Sequence, residues 1–472
     1  MATRWPHGAS PPRAKLSFRP VGRIAPPGAF RRAETPGWRG WLFAAGAGIW
    51  LAAQPARAQL GTQQILLDRF IAPGVPGADV APGVTVTSRE RPLYDPLGVR
   101  VGGFVIRPEL NEAVGYSSNI AGTRDARGSA LVQTNAAVRV QSGWSRHSLG
   151  AAFTLTDLRA LDRPSLSFTN WTASLGGTYD IGRDTVSLAA THQTLHQTPR
   201  DLDTAQIDQT LAYRVNGVRL GYRASFNRLS LEPALEVTAY DFDDGTVGGR
   251  PYLQRYRNRV VLSPSLAATY RLAPRRDLVF VLRDSSADYS NRVPGTPRRD
   301  FDDISALAGV AFDAGAIGYR FLVGYQVRLF SSSQYKTIQA PVIEASAVWT
   351  PTGLTTVTGS VARRIQDSAD ETTAAFTGTG LQLALDHEYL RNVLLRATAG
   401  VSLNEYRRGQ GDQTLYTAGL GATWLLDRNS RLGASYGFAS RRSSDGGNLG
   451  PGRRFGSSYT EHRYLLQLRL SL

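Results

Sequence analysis

The 472-residue chain has no cysteine, one methionine and, among its 54 basic residues, only two lysines, Lys15 and Lys336. Without thiols it can build no disulfide framework, no cysteine-ligated zinc, haem or iron–sulfur site and no thiol nucleophile. Long apolar runs are missing as well. Hydrophobic residues make up 42% of the chain, and past residue 58 no stretch approaches the roughly 18 uninterrupted apolar residues of a membrane-crossing helix. The excess lies in 48 Gly and in Ser, Thr and Arg, which is not the composition of a disordered chain. Such a chain folds, but not around a large oily core.

The net charge of +16 is unevenly spread, because residues 1–58 hold nine Arg and Lys against one acid, Glu34, and therefore carry +8 of it. Phosphate-binding surfaces need their cations clustered. In the body of this chain the arginines are scattered and most sit beside apolar residues, so no nucleic-acid partner is expected. The N-terminal excess has a different reading. Residues 41–53 (WLFAAGAGIWLAA) carry no charge, follow Arg31, Arg32 and Arg39, and precede Ala56-Arg57-Ala58. A basic region, a short apolar core and small residues at −3 and −1 form a secretory signal peptide, expected over 1–58 with cleavage after Ala58. As a helix the apolar core would cover only about 20 Å of a roughly 30 Å bilayer, too little for an anchor. Residues 59–98, with Pro73, Pro76, Pro82, Pro92 and Pro96, read as an extended periplasmic segment.

From residue 103 to the last residue the hydrophobic period is two. In residues 319–329 the odd positions are Tyr319, Phe321, Val323, Tyr325, Val327 and Leu329, and between them lie Arg320, Gly324, Gln326 and Arg328. Residues 393–403 and 464–472 repeat the pattern. Runs of this length exceed the five or six residues usual in soluble sheets and match the 9 to 11 tilted residues of a membrane strand. Short connections at 181–184, 350–353 and 427–430 alternate with long polar ones at 121–128, 244–254, 291–299 and 444–457. Tight turns on one side and long loops on the other are the anatomy of an outer-membrane barrel. Hydrocarbon offers no partner to free N–H and C=O groups, so the sheet must close.

The fold expected is therefore all-β: a closed antiparallel transmembrane β-barrel over 99–472, of about 18 strands within a range of 16 to 20, both ends at the periplasmic side. The least regular strand is 204–226, overlong and containing Asn216-Gly217, a common hairpin dipeptide. Aromatic girdles are expected at both interfaces. The periplasmic one would hold Trp144, Tyr179, Phe226, Tyr270, Phe312, Trp349 and Trp424; the outer one Tyr116, Tyr240, Tyr289, Phe330, Tyr406 and Phe438.

The stretch RPLYDPLGVRVGGFVIRP at 91–108, continuing to Tyr116-Ser117-Ser118-Asn119, resembles the opening of the putative β-barrel porin 2 family, as do Asn227-Arg228-Leu229-Ser230 and the residues from Tyr240 to Asp244. The resemblance covers residue 90 to the end. It implies a bacterial outer-membrane barrel, associated in some members with exopolysaccharide production, and it brings no catalytic residues. The chain departs from the usual terminal aromatic of such barrels by ending in Leu472.

Motifs for chemistry are sparse. His192 and His196 would share a helix face, but on a strand they stand roughly 13 Å apart and cannot hold one ion. GASYG at 433–437 matches a nucleophile elbow without the helix that must follow it. Asp241, Asp243 and Asp244, and the cluster at 300–303, read as solvated loop acids lacking a calcium-loop spacing. A Ser/His hydrolase drawing on His147, His387 or His462 is not selected by any spacing. Neither catalytic residues, metal nor cofactor are expected. Alternation instead directs Arg139, Arg219, Arg223, Arg320, Arg328, Arg396, Arg469 and Glu344 to the lumen, since a guanidinium at the lipid midplane would cost about 2 to 4 kcal/mol. Two consequences stay open: a lumen tuned for anionic or sugar-like solutes, or cross-wall Arg–acid pairs that rigidify a plugged barrel. The function expected is a porin-like or export-associated conduit, with a non-conducting surface barrel and an embedded hydrolase as alternatives. Its partners would be outer-membrane lipid, the barrel-assembly machinery, and a polysaccharide or small anionic solute.

Overall fold

The computed structural model describes residues 75, 85–204, 207–291, 297–369, 373–406, 412–444 and 456–472. The expected signal peptide at 1–58 lies outside them. Eighteen long strands follow one another: β1 Phe104–Ser117, β2 Ser129–Ser142, β3 Ser148–Ala160, β4 Phe168–Ile181, β5 Asp184–Gln197, β6 Leu211–Ser225, β7 Leu229–Phe242, β8 Arg259–Ala273 and β9 Arg276–Tyr289. The second half comprises β10 Phe301–Asp313, β11 Ile317–Phe330, β12 Ile338–Thr352, β13 Thr355–Asp367, β14 Ala375–Leu390, β15 Val393–Tyr406, β16 Gln413–Leu425, β17 Ser430–Ser443 and β18 Tyr459–Ser471. Each pairs antiparallel with the next, and β1 pairs with β18 from Glu109↔Ser471 to Ser117↔Arg463. That last ladder closes the cylinder and removes the two free edges that a bilayer could not satisfy. Below the end of β18, the short strand Val99–Val101 folds back on Phe104, Val105 and Ile106, continuing the same edge of β1.

The period of two decides which face goes where. In β11, Leu322 is 0% exposed while its neighbours Phe321 and Val323 are each 45% exposed. The same alternation runs round the ring and leaves an outward coat of Leu, Val, Phe, Tyr and Trp, the side chains that hydrocarbon accepts without cost. Among the polar exceptions, Glu112 on β1 accepts a hydrogen bond from Thr134 Oγ1 (2.9 Å), and Asn216 on β6 meets His192 on β5 (2.6 Å).

Two expectations change. Strand 204–226 starts at Leu211, and Asn216-Gly217 makes no turn, because Asn216 is paired with His192 on one side and Ala239 on the other. The ladder on both sides outweighs the dipeptide's local preference. The periplasmic girdle stands, with Trp144, Tyr179, Phe226, Trp349 and Trp424 all exposed at the short-turn end. The outer one is thinner than expected: Tyr240, Tyr289 and Tyr406 turn inward and are buried. Guanidiniums explain two of them, since Arg259 lies over both the Tyr240 ring (4.1 Å) and the Tyr289 ring (5.6 Å).

The wall is continuous except at one seam. β12 and β13 pair from Ile343↔Arg363 downward, but above that rung Ile338 to Val342 pair with β11 and Arg364 to Asp367 with β14. The upper end of β13 leans inward: the Ile365 N–H donates to Gln326 Oε1 of β11 (2.8 Å), and Ile365 packs with Ile338, Ala340 and Ala375.

Candidate functional site

Two described segments at the long-loop end turn inward and fill the mouth of the barrel. Residues 198–204, between β5 and β6, are buried throughout. They reach β16, β17 and β18, and β16 lies eight strands from β6 in a ring where nine is diametrically opposite. The segment therefore crosses the lumen. Its apolar anchor is Leu202, packed with Leu415, Ala439 and Tyr459. Its polar anchors are stronger. Arg441, 1% exposed, donates from Nη1 to the carbonyls of Pro199 (3.0 Å) and Asp201 (2.9 Å) and from Nη2 to that of Ser457 (2.9 Å). Arg200 donates to both oxygens of Glu461 (2.9 and 3.1 Å), a carboxylate that also accepts from Arg463 and from the Ser117 hydroxyl.

The second obstruction is the end of the β13–β14 hairpin. Asp203 joins the two, accepting hydrogen bonds from Ser368 Oγ (2.8 Å), the Ala369 N–H and the Tyr406 hydroxyl (2.9 Å). Arg299 donates to the carbonyls of Ser368 and Ala374, and Tyr256 to that of Ala369. Burial pushes the carboxyls of Asp201 and Asp203 up to about 6, against hydrogen bonds and arginines that pull them down.

At the short-turn end the segment before β1 lies against the strands. Val75 packs on Ala152, and the Val86 N–H donates to Thr356 Oγ1 (2.9 Å). Glu388 holds Arg91 (2.7 Å) and Arg89 (3.4 Å), while Arg431 donates to the Tyr94 carbonyl (3.1 Å).

Beneath the crossing loop lies a cavity of about 180 Å³. Aromatic rings form part of its lining, with Tyr213 and Phe242 stacked at 5.1 Å and Phe301 under Arg328 at 3.8 Å. Arg257, Arg259, Arg283, Arg328 and Arg364 supply positive charge, and Asp203, Glu236, Asp303 and Asp367 negative charge.

Of the residues that alternation selected, six arginines are found in ion pairs. Arg219 meets Glu236 (3.4 Å), Arg223 meets Glu232 (2.8 Å), Arg396 meets Asp386 (3.4 Å) and Arg469 meets Glu109 (3.4 Å). Arg320 pairs with Glu344, itself one of the selected residues, and Arg328 with Asp303 and Asp367. Arg139, half-buried on β2, stands opposite Arg107. The sequence reading passed over Arg200, Arg441, Arg283 and Glu461. The strand residues among these were available to the same alternation, but Arg200 was not, since nothing in a polar loop sequence says that it folds inward.

The other motifs resolve into structure. His192 Nδ1 meets Asn216 Oδ1 (2.6 Å) and His196 Nδ1 meets Asn170 Oδ1 (2.9 Å), so each imidazole has its own partner. No cluster of three His, Asp or Glu residues suited to a metal occurs among the described residues. GASYG lies inside β17. Asp241 and Asp243 are paired to Arg214, Asp244 accepts from the Gln254 N–H, and Asp300 from the Tyr289 N–H.

No curated protein matches the chain. Solved structures similar to it include the outer membrane protein OpdK from Pseudomonas aeruginosa, at 12% identity over 78% of this chain and 99% of that one, with a TM-score of 0.42. The FrpB iron transporter from Neisseria meningitidis is 9% identical over 78% of this chain and 82% of its own, with a TM-score of 0.40. Pseudomonas aeruginosa OccK3 (OpdO) is 14% identical over 79% and 96%, also at 0.40. The family model described as Putative beta-barrel porin 2 matches residues 91–470, most of the chain and all of the barrel but its last residues. A closed ring of eighteen strands, apolar outside and charged within, together with that match, makes the chain a member of the putative β-barrel porin 2 family, an outer-membrane β-barrel.

Proposed function

We propose that the chain is a passive outer-membrane conduit for small anionic solutes, closed at rest by the loop 198–204 from outside and narrowed by residues 85–95 from the periplasm. The observation that carries the reading is the loop itself. It crosses the lumen on hydrogen bonds and ion pairs, which can exchange for water, and buries only Leu202 as an apolar anchor. An eighteen-stranded ring is wide enough for an aqueous path once such a loop moves. The wall arginines Arg139, Arg219, Arg223, Arg320, Arg328, Arg396 and Arg469, with Glu344, would line that path. Since most are neutralised by a carboxylate, selectivity falls to the arginines in surplus around the cavity.

A non-conducting barrel is the second reading, favoured by the same ion pairs, which tie both obstructions to the wall. Export of an exopolysaccharide rests on the family resemblance, and a loop across the lumen fits a small solute better than a polymer. The deciding experiment is reconstitution of the purified protein in planar bilayers with a salt gradient. Discrete channels with an anion-selective reversal potential are expected; silence at every voltage tested would remove the conduit reading and leave the structural one.

A further inference from the structure

The charges around the cavity do not balance locally. Arg283, in the middle of β9 on the cavity wall, makes no hydrogen bond or ion pair among the described residues. The carboxylates near enough to act on it electrostatically are Glu236, Glu344 and Asp303. Each is already engaged: Glu236 by Arg219, Glu344 by Arg320, Asp303 by Arg328. Three carboxylates thus serve four guanidiniums, and Arg283 is the one left over. Its cross-strand partners are Ser265 on β8 and Ser305 on β10, short hydroxyl side chains that leave the guanidinium open to the cavity. A second cation, Arg257, also lines the cavity, bonded to the neutral amides of Gln197 (2.9 Å) and Gln254 (3.1 Å) with its face on Phe242 (4.0 Å).

Arg283 is half-buried, and a guanidinium partly withdrawn from water without a counter-charge gains from an anion that supplies one. We infer that Arg283 is the anion-binding centre of this cavity, taking the carboxylate of a small organic acid. The inference rests on the conduit reading and names its solute class. A protein cavity of about 150 Å³ admits benzene, so one of about 180 Å³ has room for a single ring with its carboxylate. The forked donors of arginine suit a carboxylate's two oxygens.

The test uses the detergent-purified mature barrel, radiolabelled benzoate as probe and benzyl alcohol as its uncharged counterpart, in equilibrium dialysis. Saturable benzoate binding is expected in the wild type and at least about tenfold weaker binding in R283Q, the loss of one charge-assisted pair. Ser305→Asp is the independent variant: it keeps Arg283 but places a carboxylate directly across from it, and should abolish benzoate binding as well. Undiminished binding in both variants, or benzoate bound no better than benzyl alcohol by the wild type, would overturn the site. The same preparations in planar bilayers separate the two claims. Channels that conduct without benzoate binding defeat the site and leave the conduit, whereas benzoate binding without conductance defeats the conduit and leaves the site.

Discussion

Replacing Arg441 by leucine should unfasten the loop that crosses the lumen while leaving the wall intact. The guanidinium sits on β17, 1% exposed, over the Tyr459 ring at 4.8 Å, and gives two of its hydrogen bonds to the loop carbonyls of Pro199 and Asp201. Hydrogen bonds from a charged donor are each worth about 1.5 to 3 kcal/mol net, so losing the pair costs the closed loop about 3 kcal/mol or more. That is roughly a hundredfold in the ratio of closed to open loop. Leucine fills much of the volume and leaves Leu202, Arg200–Glu461 and the Asp203 cluster in place, so the loop is loosened and not deleted. In single-channel recordings R441L should show a much larger open fraction than the wild type at the same voltage, with β-sheet content and heat resistance preserved. If R441L and wild type give the same conductance and the same dwell times, the loop is not the gate and the reasoning fails.

Protons should close the same gate. Asp201 and Asp203 lie in the loop with carboxyls pushed up to about 6 by burial, above the ordinary 3.8 that they regain when the loop opens into water. A raised value means that the closed form binds the proton more tightly, so closure gains its full support below about pH 4 and loses it as pH rises through 6, with each acid contributing on the order of 3 kcal/mol. Open probability should therefore increase between about pH 4 and 7, and Asp203→Asn, a permanent stand-in for the protonated acid, should flatten part of that rise; a pH-independent wild type would contradict it. At the other end, Glu388→Gln removes the carboxylate that holds Arg89 and Arg91. Trypsin added from the periplasmic side should then cut after Arg89 about tenfold faster, the Arg91–Pro92 bond being resistant, and an unchanged cleavage rate would show that the segment is held by something else.

Much of the barrel was legible because a membrane strand writes its environment at every second residue. Leu322 inside and Phe321 outside obey one rule, and that rule fixed strand count, closure and the inward direction expected for Arg320 and Arg328. What it could not reach was the interior of the cylinder. Tyr240, Tyr289 and Tyr406 were placed in the outer girdle because aromatic residues at strand ends usually sit there; their burial depends on guanidiniums and a carboxylate arriving from other strands and loops. The fate of residues 198–204 is of the same kind. Nothing local distinguishes a polar loop that points to water from one that folds across a lumen, because the difference lies in partners such as Arg441 and Glu461 more than two hundred residues away. Ion pairing of the wall arginines likewise requires the register of neighbouring strands, as in Arg219↔Glu236.

The two faces of the cylinder are directly measurable, because the chain has no cysteine of its own. Single cysteines placed one at a time along β11 from position 319 to 328 can be tested in proteoliposomes with a membrane-impermeant maleimide and, after attachment of a fluorophore, with a lipid-borne quencher. Odd positions should be quenched from the bilayer and resist the water-soluble reagent, while even positions, at the sites of Arg320, Leu322, Gly324, Gln326 and Arg328, should escape the quencher. Loss of that alternation, with odd and even positions quenched alike, would contradict a closed barrel that faces lipid on one side and its own charged interior on the other.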